Sequence, residues 1–362
     1  MKKILIIIGT RPNFIKVTQF KRVAEQYKNI EIKIAHTGQH YDAKMSDIFF
    51  EQFGLTPDYF MNIPQASPNT QMAEIMLRLE DIIKNKFTPD LIIVPGDVNS
   101  TFAAALTANK MGIKIAHLES GLRSFDRGMP EEINRILTDE ITDYYFITEQ
   151  SGIDHLKEEN KQGESVFVGN TMIDTMVAFE ENIQASPVME ELKLKKDKFV
   201  LMTIHRPALV DVKEEIEKLL SLIQHLSVNY KIVFPIHPRT VNNLKKFNLY
   251  DEFNKIDNLI LSEPMDYFAF QKLIANCKLI LTDSGGIQEE STFRQVPCLT
   301  LRPNTERPIT ITMGTNKLIE FDLEKIKAEI KSIENKTYKK GTVPPFWDGK
   351  ATERILEFIN EK

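Results

Sequence analysis

Short apolar runs rich in β-branched residues alternate along the chain with longer segments in which apolar residues recur every three or four positions. The first pattern is typical of buried strands and the second of amphipathic helices. Regular alternation of the two predicts a parallel α/β fold, because parallel strands are joined by helical crossovers. In the first half the pattern predicts strands at Lys3–Ile8, Glu31–His36, Asp90–Pro95, Ile113–Leu118, Asp143–Ile147 and Ser165–Val168.

Helices are predicted between these strands, at Pro12–Tyr27, Gln71–Lys84 and Ser100–Lys110. Pro12 suits the first turn of a helix, where its missing N–H group is not needed. Asn99 or Ser100 is the expected N-cap of the third of these helices, because both side chains can accept from a backbone N–H.

The alternating pattern then breaks and restarts. Residues 179–198 are polar and charged and contain Pro187, as expected of a hinge region. After another break at Lys339–Pro345, the segment Phe346–Ile359 is predicted to form a closing helix. The second series has a predicted helix at Val212–Leu226 and predicted strands at Phe199–Thr203, Lys231–Pro235, Leu259–Leu261, Lys278–Thr282 and Cys298–Leu301.

These breaks predict two doubly wound, Rossmann-like α/β domains that face a central cleft. A chain of 362 residues exceeds the size at which a single hydrophobic core stops growing. We expect the first domain at residues 1–178, the second at 179–345, and a C-terminal helix at 346–362 that packs back on the first domain. In doubly wound sheets, ligands bind beyond the carboxyl ends of the strands.

Composition narrows the possible functions. The net charge of −5 argues against general nucleic-acid binding, which needs a basic face. Cys277 and Cys298 lie in separate apolar runs without a CxxC pair, so we expect core thiols in a reducing compartment. The N-terminal apolar run lacks a cleavage site, and no run approaches the ~20 residues of a membrane span. We therefore expect a cytoplasmic protein without a membrane partner.

The densest charge in the chain follows the fourth predicted strand. The segment His117–Arg135 (HLESGLRSFDRGMPEEINR) contains four acidic side chains and three arginines. It is either a solvated surface loop with incidental ion pairs or an active site in which carboxylates move protons while arginines hold an anion. Asp97, after the third strand, can cap the next helix or join Glu119 and Glu131 as a third carboxylate of one cavity.

Arginines are expected near the same cavity. Arg11 follows the first strand in Gly9–Pro12, where a glycine turn also offers backbone N–H groups to an anion. Arg127 and Arg135 lie in the charged segment. Arg123 and Arg135 can instead hold that segment in shape by pairing with its own acids.

Strand ends of the second half carry a different chemistry. His205 follows the first of these strands and His237 the second, and Arg307 lies in Thr305–Pro308. Asp283–Glu290 (DSGGIQEE) joins a later strand to a helix. Its Ser284, Gly285 and Gly286 can donate to phosphate oxygens at the helix N-terminus, and Glu290 can accept both hydroxyls of a ribose. A plain N-capped helix is the alternative.

Several common motifs are absent from the chain: GxGxxG, the Walker-type GxxxxGK[ST], HExxH and GxSxG. Their absence weakens the case for a nicotinamide cofactor, P-loop nucleotide hydrolysis, zinc catalysis and serine hydrolase chemistry. We expect no metal site.

Taken together, the strand-end motifs resemble those of the non-hydrolysing UDP-N-acetylglucosamine 2-epimerases, a family with the two-domain fold of the B-type glycosyltransferases (GT-B). The resemblance covers essentially the whole chain, and its two most specific motifs are the long charged segment and DSGGxQEE. The motifs are GTRP (Gly9–Pro12), TGQHYD (Thr37–Asp42), GDVNST (Gly96–Thr101), HLESGLRSFDRGMPEEINR (His117–Arg135), VGNTMIDT (Val168–Thr175), HRP (His205–Pro207), DSGGIQEE (Asp283–Glu290) and TERP (Thr305–Pro308).

The resemblance implies reversible inversion at C2 of UDP-N-acetylglucosamine, which gives UDP-N-acetylmannosamine. The family mechanism removes the C2 proton, expels UDP in an anti-elimination, and adds UDP back to the bound 2-acetamidoglucal. It needs no redox cofactor. A UDP-sugar is the expected partner, and a homodimer is the expected assembly.

The resemblance also implies residue roles. Asp97, Glu119 and Glu131 become candidate acid/base carboxylates, and His205 becomes a catalytic or phosphate-contacting residue. Gln39 and His40 match a position where some members bind a second, activating UDP-N-acetylglucosamine. The expected substrate contacts are Arg11, Arg135, His237, Ser284, Gly285, Gly286, Glu290 and Arg307.

Two departures from the family pattern bear on substrate detail and rate. Many members have Glu after GTRP, whereas this chain has Asn13, so a carboxylate is missing near the site entrance. Members with HRP usually continue Ser-Asn-Val-Asp, whereas residues 208–211 are Ala-Leu-Val-Asp, so the segment after His205 is partly apolar.

Other functions remain open on sequence grounds. A sibling 2-epimerase acting on a UDP-2,3-diacetamido-2,3-dideoxyglucuronate would need an extra cation for the C6 carboxylate, such as Arg127 or Lys44, and Thr37–Phe50 also resembles that branch. A glycosyltransferase of the same fold would have little use for three carboxylates. A non-catalytic sugar-nucleotide sensor would not need acid/base side chains at all.

Overall fold

The chain folds into two compact units, Met1–Ala178 with Pro345–Lys362, and Phe179–Pro344. The computed structural model describes residues 1–38 and 50–362. Each unit is built on one parallel sheet with helices between its strands. None of the helices in the described ranges is long and apolar enough to cross a membrane.

A seven-stranded parallel sheet forms the core of the first unit. Its strands are β1 (Lys2–Ile8), β2 (Ile30–His36), β3 (Tyr59–Phe60), β4 (Leu91–Pro95), β5 (Lys114–Leu118), β6 (Tyr144–Ile147) and β7 (Glu164–Phe167). They lie in the order β3-β2-β1-β4-β5-β6-β7. The six predicted strands are confirmed within one residue at each end, whereas β3 is too short to produce a recognisable pattern.

Helices connect these strands. Those with both ends among the described residues are α1 (Arg11–Ile15), α2 (Phe20–Ala24), α3 (Pro68–Asn85), α4 (Asn99–Lys110), α5 (Pro130–Glu140), α6 (Gln150–Glu158) and α7 (Thr171–Ala178). The predicted N-cap of α4 is wrong, because Val98 occupies that position. Asn99 instead accepts from the side-chain amide of Asn134 (3.2 Å), and Ser100 is buried beside Gly9, where a Cβ would lie 1.8 Å from its hydroxyl.

The predicted single helix at Pro12–Tyr27 is also wrong, although Pro12 does lie in the first turn of α1. Residues 16–19 form a turn that separates α1 from α2. The hydroxyl of Thr175 donates to the carbonyl of Ile15 (2.5 Å), a group that a continuous helix would use for its own bond. The turn also buries the polar side chain of Lys16.

A six-stranded parallel sheet forms the core of the second unit. Its strands are β8 (Phe199–Thr203), β9 (Lys231–Pro235), β10 (Leu259–Ser262), β11 (Leu279–Thr282), β12 (Cys298–Thr300) and β13 (Asn316–Leu318). They lie in the order β10-β9-β8-β11-β12-β13. The five predicted strands are confirmed within one residue at each end, and β13 escapes prediction because it has three residues.

The helices of this unit are α8 (Glu180–Ala185), α9 (Val188–Glu191), α10 (Pro207–Val210), α11 (Lys213–Ser227), α12 (Pro238–Lys246), α13 (Tyr250–Asn254), α14 (Tyr267–Asn276), α15 (Gly285–Arg294), α16 (Ile309–Thr312) and α17 (Leu323–Glu334). The predicted helix Val212–Leu226 corresponds to α11. The polar segment 179–198 contributes α8 and α9, and Val188 and Met189 are buried against the sheet.

Both sheets have the strand order of a doubly wound fold, which confirms the predicted Rossmann-like α/β class. The order reverses between β1 and β4 in the first sheet and between β8 and β11 in the second. In such sheets ligands bind where the order reverses, beyond the carboxyl ends of the strands. The residues that follow these four strands are therefore the first candidates for function.

The C-terminal helix α18 (Ala351–Glu361) belongs to the first unit. Its predicted start at Phe346 is wrong by five residues. Trp347 is buried, and its indole N–H donates to the carbonyl of Thr148 (3.1 Å). This contact holds residues 346–350 in a non-helical turn before α18.

Asp174 in α7 caps α18 from outside the helix. Its side chain is 3% exposed and accepts from the backbone N–H groups of Ala351 (3.0 Å) and Thr352 (2.6 Å). Asp174→Ala should lower the free energy of unfolding of the first unit by about 1–2 kcal/mol, because two buried N–H groups lose their acceptor. Urea denaturation measures this loss.

Asp348→Ala is the matched control for Asp174. It removes an aspartate that pairs with Arg354 and is 46% exposed, so we expect a change below about 0.5 kcal/mol. Equal losses in the two variants would contradict the capping role.

Candidate active site

Polar side chains gather at the carboxyl edge of the first sheet, where the strand order reverses. β1 is followed by Gly9–Arg11 and its neighbour β4 by Gly96 and Asp97. β5 lies on the other side of β4 and is followed by Glu119. Because neighbouring parallel strands end at a common edge, Asp97 and Glu119 come from adjacent positions on it.

Glu119 is paired with a lysine that sequence reasoning missed. Its Oε2 lies 2.5 Å from Nζ of Lys16, and the two side chains are 3% and 6% exposed. Glu119 also has a left-handed backbone (φ 71°), a strained conformation that is enriched at functional sites. Neither charge would be tolerated alone at this depth, so each stabilises the other. The only signal in the sequence is a lysine inside the apolar run Phe14–Val17.

Asp97 remains partly accessible. Its side chain is 26% exposed, and its Oδ2 lies 3.0 Å from Nε of Arg135. Arg135 is 2% exposed and also contacts the carboxylate of Glu132. The structure therefore shows Arg135 orienting Asp97, and direct substrate binding by Arg135 stays a prediction.

Helix α5 opens with two consecutive glutamates that differ in their surroundings. Glu132 is buried, and its carboxylate accepts from the backbone N–H and hydroxyl of Ser124 and from the N–H of Phe125 (2.9 Å each). Glu131 is half-buried, and its carboxylate has no ion pair or hydrogen bond to residues 1–38 or 50–362. Successive helix residues point about 100° apart, so Glu132 closes the loop while Glu131 is available for chemistry.

A buried ion network fixes the loop that follows β5. Nδ1 of His117 lies 2.6 Å from Oδ1 of Asp139, and its Nε2 lies 2.8 Å from the carbonyl oxygen of Gly96. Arg123 approaches the other oxygen of Asp139 (2.7 Å) and forms a bidentate pair with Glu159 (2.7 Å for both bonds). Burial alone would raise the pKa of Asp139, but His117 and Arg123 outweigh it and lower that pKa.

This network contradicts the interpretation of the charged segment as a solvated surface loop, while the acid/base roles of its carboxylates stay a prediction. Arg123 is buried, whereas a solvated surface loop would leave its arginines exposed. Its partners Asp139 and Glu159 lie outside His117–Arg135, so the expectation that it pairs with acids of its own loop is wrong.

Asn13, which stands where many family members have a glutamate, is a buried residue that connects two strand ends. Its Oδ1 accepts from the backbone N–H groups of Gly9 (3.3 Å) and Thr10 (3.2 Å), and its Nδ2 donates to the carbonyl of Pro95 (3.1 Å). The side chain is 3% exposed. Asn13 thus joins the ends of β1 and β4. It also occupies the backbone N–H groups that the sequence suggested for an anion, which leaves the Arg11 side chain as the cationic part of that loop.

Asn13→Asp should destabilise the first unit by about 1–3 kcal/mol at pH 7, because a carboxylate has no N–H to offer the buried carbonyl of Pro95. Protonation restores a donor, so the loss should shrink as the pH falls through about 4 and below. Denaturation at pH 7 and pH 4 measures both effects. The matched control is Asn29→Asp, at an exposed position of the same unit. An unchanged free energy of unfolding for the Asn13 variant at pH 7 would contradict the role of Asn13 in joining the ends of β1 and β4.

In the second sheet, His205 and Asp283 follow the strands between which the order reverses. Asp283 is fully buried, and its Oδ2 accepts from the backbone N–H groups of His205 (2.8 Å) and Arg206 (2.7 Å). Its Oδ1 lies 2.9 Å from Nδ1 of His205, whose side chain is 42% exposed. Burial alone would raise the pKa of Asp283, but the contacts with His205 and Arg206 lower it.

His237 lies beside His205 at the start of α12. Its Nδ1 accepts from the backbone N–H of Arg239 (3.1 Å), and the centroids of the two histidine rings are 5.8 Å apart. Burial, together with the charges of His205 and Arg239, lowers the pKa of His237. A nitrogen that accepts carries no proton, so at neutral pH the His237 ring is neutral and offers its Nε2 N–H as a donor.

The N-terminus of α15 provides donors for an anion. Ser284 is the N-cap and its side chain does not cap its own helix, while Gly285 and Gly286 form the first turn. First-turn N–H groups have no intrahelical acceptor and carry the positive end of the helix dipole. One turn later, Glu290 is buried. Burial, and to a smaller extent the negative charge of Glu290, raise the pKa of the Tyr267 hydroxyl well above its usual value.

Arg307 is part of a buried network beside this helix. Its Nε lies 2.6 Å from Oε2 of Glu289, and its NH1 contacts Glu306, which also pairs with Arg302 (2.9 Å). A Cβ at Gly285 would lie 2.8 Å from Glu306, so the network packs directly against the start of α15. Arg307 therefore supports the helix N-terminus, and its contact with substrate stays a prediction.

The remaining sequence-based candidates are less informative. Gln39 and His40 lie outside the described residues. In the segment after His205, Leu209 packs on the core of the second unit and Asp211 pairs with Arg239. Within the described ranges, no three His, Cys, Asp or Glu side chains are grouped to hold a metal ion.

Comparison with known proteins agrees with these motifs. A profile of the UDP-N-acetylglucosamine 2-epimerase family matches residues 22–360. The UDP-N-acetylglucosamine 2-epimerase of Methanocaldococcus jannaschii is 40% identical over 367 residues, which cover 99% of this chain and 98% of the relative. The UDP-2,3-diacetamido-2,3-dideoxy-D-glucuronate 2-epimerase of Pseudomonas aeruginosa is 37% identical over 99% of each chain.

A solved structure gives the same result. The crystal structure of Methanocaldococcus jannaschii UDP-GlcNAc 2-epimerase in complex with UDP-GlcNAc and UDP matches with a TM-score of 0.89 at 39% identity, covering 99% of this chain and 100% of that one. The GT-B-type fold and the resemblance carried by the motifs are thereby confirmed. The chain belongs to the UDP-N-acetylglucosamine 2-epimerase family.

Proposed function

We propose that this protein interconverts UDP-N-acetylglucosamine and UDP-N-acetylmannosamine by inverting C2 of the sugar. Its relatives include 2-epimerases named for UDP-N-acetylglucosamine, one of them crystallised with UDP-GlcNAc and UDP. The observation that carries the proposal is the group of carboxylates at the carboxyl edge of the first sheet. These are Glu119 paired with Lys16, Asp97 oriented by Arg135, and Glu131 at the start of α5.

Inversion requires proton transfer on both faces of C2. In the first step a carboxylate takes the C2 proton, the C2–H electrons form a C1=C2 bond, and the C1–O bond breaks with its electron pair leaving on UDP. In the second step a carboxylic acid protonates C2 from the opposite face while a UDP oxygen bonds to C1. The electrons balance without net oxidation. The reaction therefore needs two acid/base groups, and Asp97, Glu119 and Glu131 are the candidates.

The departing UDP gains negative charge, and the second unit supplies groups suited to stabilise it. We assign the diphosphate to the N-terminus of α15 (Ser284–Gly286), with N–H donors from His205 and His237. The carboxylate of Glu290 would accept hydrogen bonds from the two ribose hydroxyls. A weakly acidic C2 proton is lost readily only when this leaving-group charge is stabilised at the same time.

Other parts of the proposal rest on the family resemblance. Arg11 would hold the diphosphate, and Arg135 and Arg307 would contact the substrate. Activation by a second UDP-N-acetylglucosamine through Gln39 and His40, a homodimer and a cytoplasmic location stay predictions.

A second candidate substrate is a UDP-2,3-diacetamido-2,3-dideoxyglucuronate, because the Pseudomonas aeruginosa relative is named for it. Its C6 carboxylate would need a cation. Arg127 is exposed and has no ion pair within the described part of the chain, whereas Lys44 lies outside that part. A glycosyl transfer reaction has no comparable support, because it would leave the three carboxylates without a use.

The two UDP-sugars can be compared directly. Each is incubated with the protein at the same concentration, and the manno and gluco products are separated and quantified over time. We expect a larger kcat/KM for UDP-N-acetylglucosamine. Turnover of the uronate alone would replace the proposed substrate with its rival.

A further inference from the structure

Asp283 contacts four groups of His205 and Arg206, which an aspartate that only caps a helix would not need to contact. One carboxylate oxygen accepts from the backbone N–H groups of His205 and Arg206, and the other lies 2.9 Å from Nδ1 of the His205 ring. The carbonyl of Asp283 also accepts from Nε of Arg206 (2.9 Å). The residue is fully buried, whereas the His205 side chain is 42% exposed. Asp283 is therefore a fixed anchor for an accessible ring.

This arrangement determines which nitrogen of His205 carries a proton. A carboxylate only accepts, so Nδ1 facing Asp283 must carry the proton in the neutral ring. The same carboxylate stabilises the cationic ring, in which Nε2 also carries a proton and can donate it in a hydrogen bond to the departing UDP. The charged and titratable groups around the ring are Asp283, Arg206 and His237.

We propose that Asp283 is a positioning residue that sets the tautomer and orientation of His205 for its contact with the departing UDP. This inference rests on the proposed function of His205. Asp283 is not itself a catalytic residue, because its carboxylate is buried and faces His205 and Arg206.

A double-mutant cycle tests the proposal. Asp283→Asn keeps an oxygen for the two backbone N–H groups but places an N–H opposite Nδ1, which forces the proton to Nε2 and removes the charge that stabilises the cationic ring. We expect kcat to fall by about 100-fold with KM within about threefold. In the His205→Asn background the same change should have no further effect, because its target is gone. An additive loss would show that Asp283 acts through general structure, and would overturn the proposal.

The matched control is Asp211→Asn. Asp211 undergoes the same chemical change in the same unit, is 37% exposed and pairs with Arg239. We expect its kcat to stay within about twofold of the unmodified protein, as for ordinary surface positions. A loss equal to that of Asp283→Asn would mean that the change itself is damaging in this unit, and would also overturn the proposal.

Nitrogen-15 NMR of the histidine rings separates this inference from the proposed function, because it needs neither substrate nor turnover. His205→Asn identifies the resonance. We expect Nδ1 of His205 to be protonated in the unmodified protein and Nε2 to carry the proton in Asp283→Asn. An unprotonated Nδ1 in the unmodified protein would overturn the proposal even if the Asp283 variant failed to fold. A protonated Nδ1 in a protein that does not epimerise UDP-N-acetylglucosamine would leave the positioning role standing and remove only the proposed reaction.

Discussion

Glu119→Gln is expected to lower kcat by about 1,000-fold while UDP affinity stays within about threefold. Glutamine has nearly the shape of glutamate, and its side-chain oxygen can still accept from Lys16, so the buried site keeps its volume and one of its contacts. An amide cannot take up the C2 proton. UDP is proposed to bind residues of the second unit and Arg11, none of which this change alters.

Steady-state kinetics and UDP titration calorimetry measure the two effects. Glu131→Gln should also lose turnover and keep UDP affinity, because its carboxylate is available for chemistry. Glu132→Gln is the informative comparison at the neighbouring position. Glu132 holds Ser124 and Phe125, so its replacement should lower stability as well as activity. A large loss of UDP affinity in Glu119→Gln would show that Glu119 binds nucleotide and is not an acid/base group.

Arg123→Met is expected to lower the free energy of unfolding of the first unit by about 3–5 kcal/mol. Arg123 is 2% exposed and pairs with both Asp139 and Glu159. Methionine fills much of the space but leaves the Asp139 carboxylate buried with one partner fewer. Thermal or urea denaturation monitored by circular dichroism measures the change.

Arg127→Met provides the matched control, since it is the same substitution four residues further along the same loop. Arg127 is exposed, so its replacement should change stability by less than about 0.5 kcal/mol. The contacts with Arg123 lower the pKa values of Asp139 and Glu159 against the opposing effect of burial. The contribution of these two ion pairs to the free energy of unfolding is therefore present above about pH 4 and is lost as the pH falls further. The difference between the two variants should shrink in acid, and a difference that persists unchanged at low pH would argue against an ionic origin.

The fold could be predicted because its strands are local signals. Segments such as Phe199–Thr203 and Lys231–Pro235 are continuous apolar runs, as expected of strands that are buried on both faces of a parallel sheet. The positions of Asp97, Glu119 and His205 followed from the same logic, because parallel strands end at a common edge. The order of strands along the sequence was therefore enough to expect these three residues near a binding site.

Contacts between residues far apart in the chain could not be predicted. Lys16 and Glu119 are separated by 103 positions, and Thr175 takes the carbonyl of Ile15 across 160 positions. The first contact defines the partner of a candidate base, and the second breaks a helix that the pattern extends. Periodicity reports which face of an element is apolar but carries no information about which polar groups meet there.

Residues of one type that are close in sequence also could not be separated. Glu131 and Glu132 differ only in which way they point from α5, and this depends on the hydrogen bonds that the loop at Ser124 makes with Glu132. Arg123 and Arg127 are likewise equivalent in sequence, yet one is buried in an ion network and the other is exposed. Three-dimensional packing decides these assignments.

Carboxylates at the edge of the first sheet are proposed to exchange the C2 proton of UDP-N-acetylglucosamine. Incubation with this UDP-sugar in deuterated water, followed by proton NMR, tests it most directly. We expect the C2 proton signal to disappear as deuterium enters C2 and a manno product to accumulate, and we expect both changes to be lost in Glu119→Gln. An unchanged C2 proton signal, under conditions where UDP is shown to bind, would contradict it.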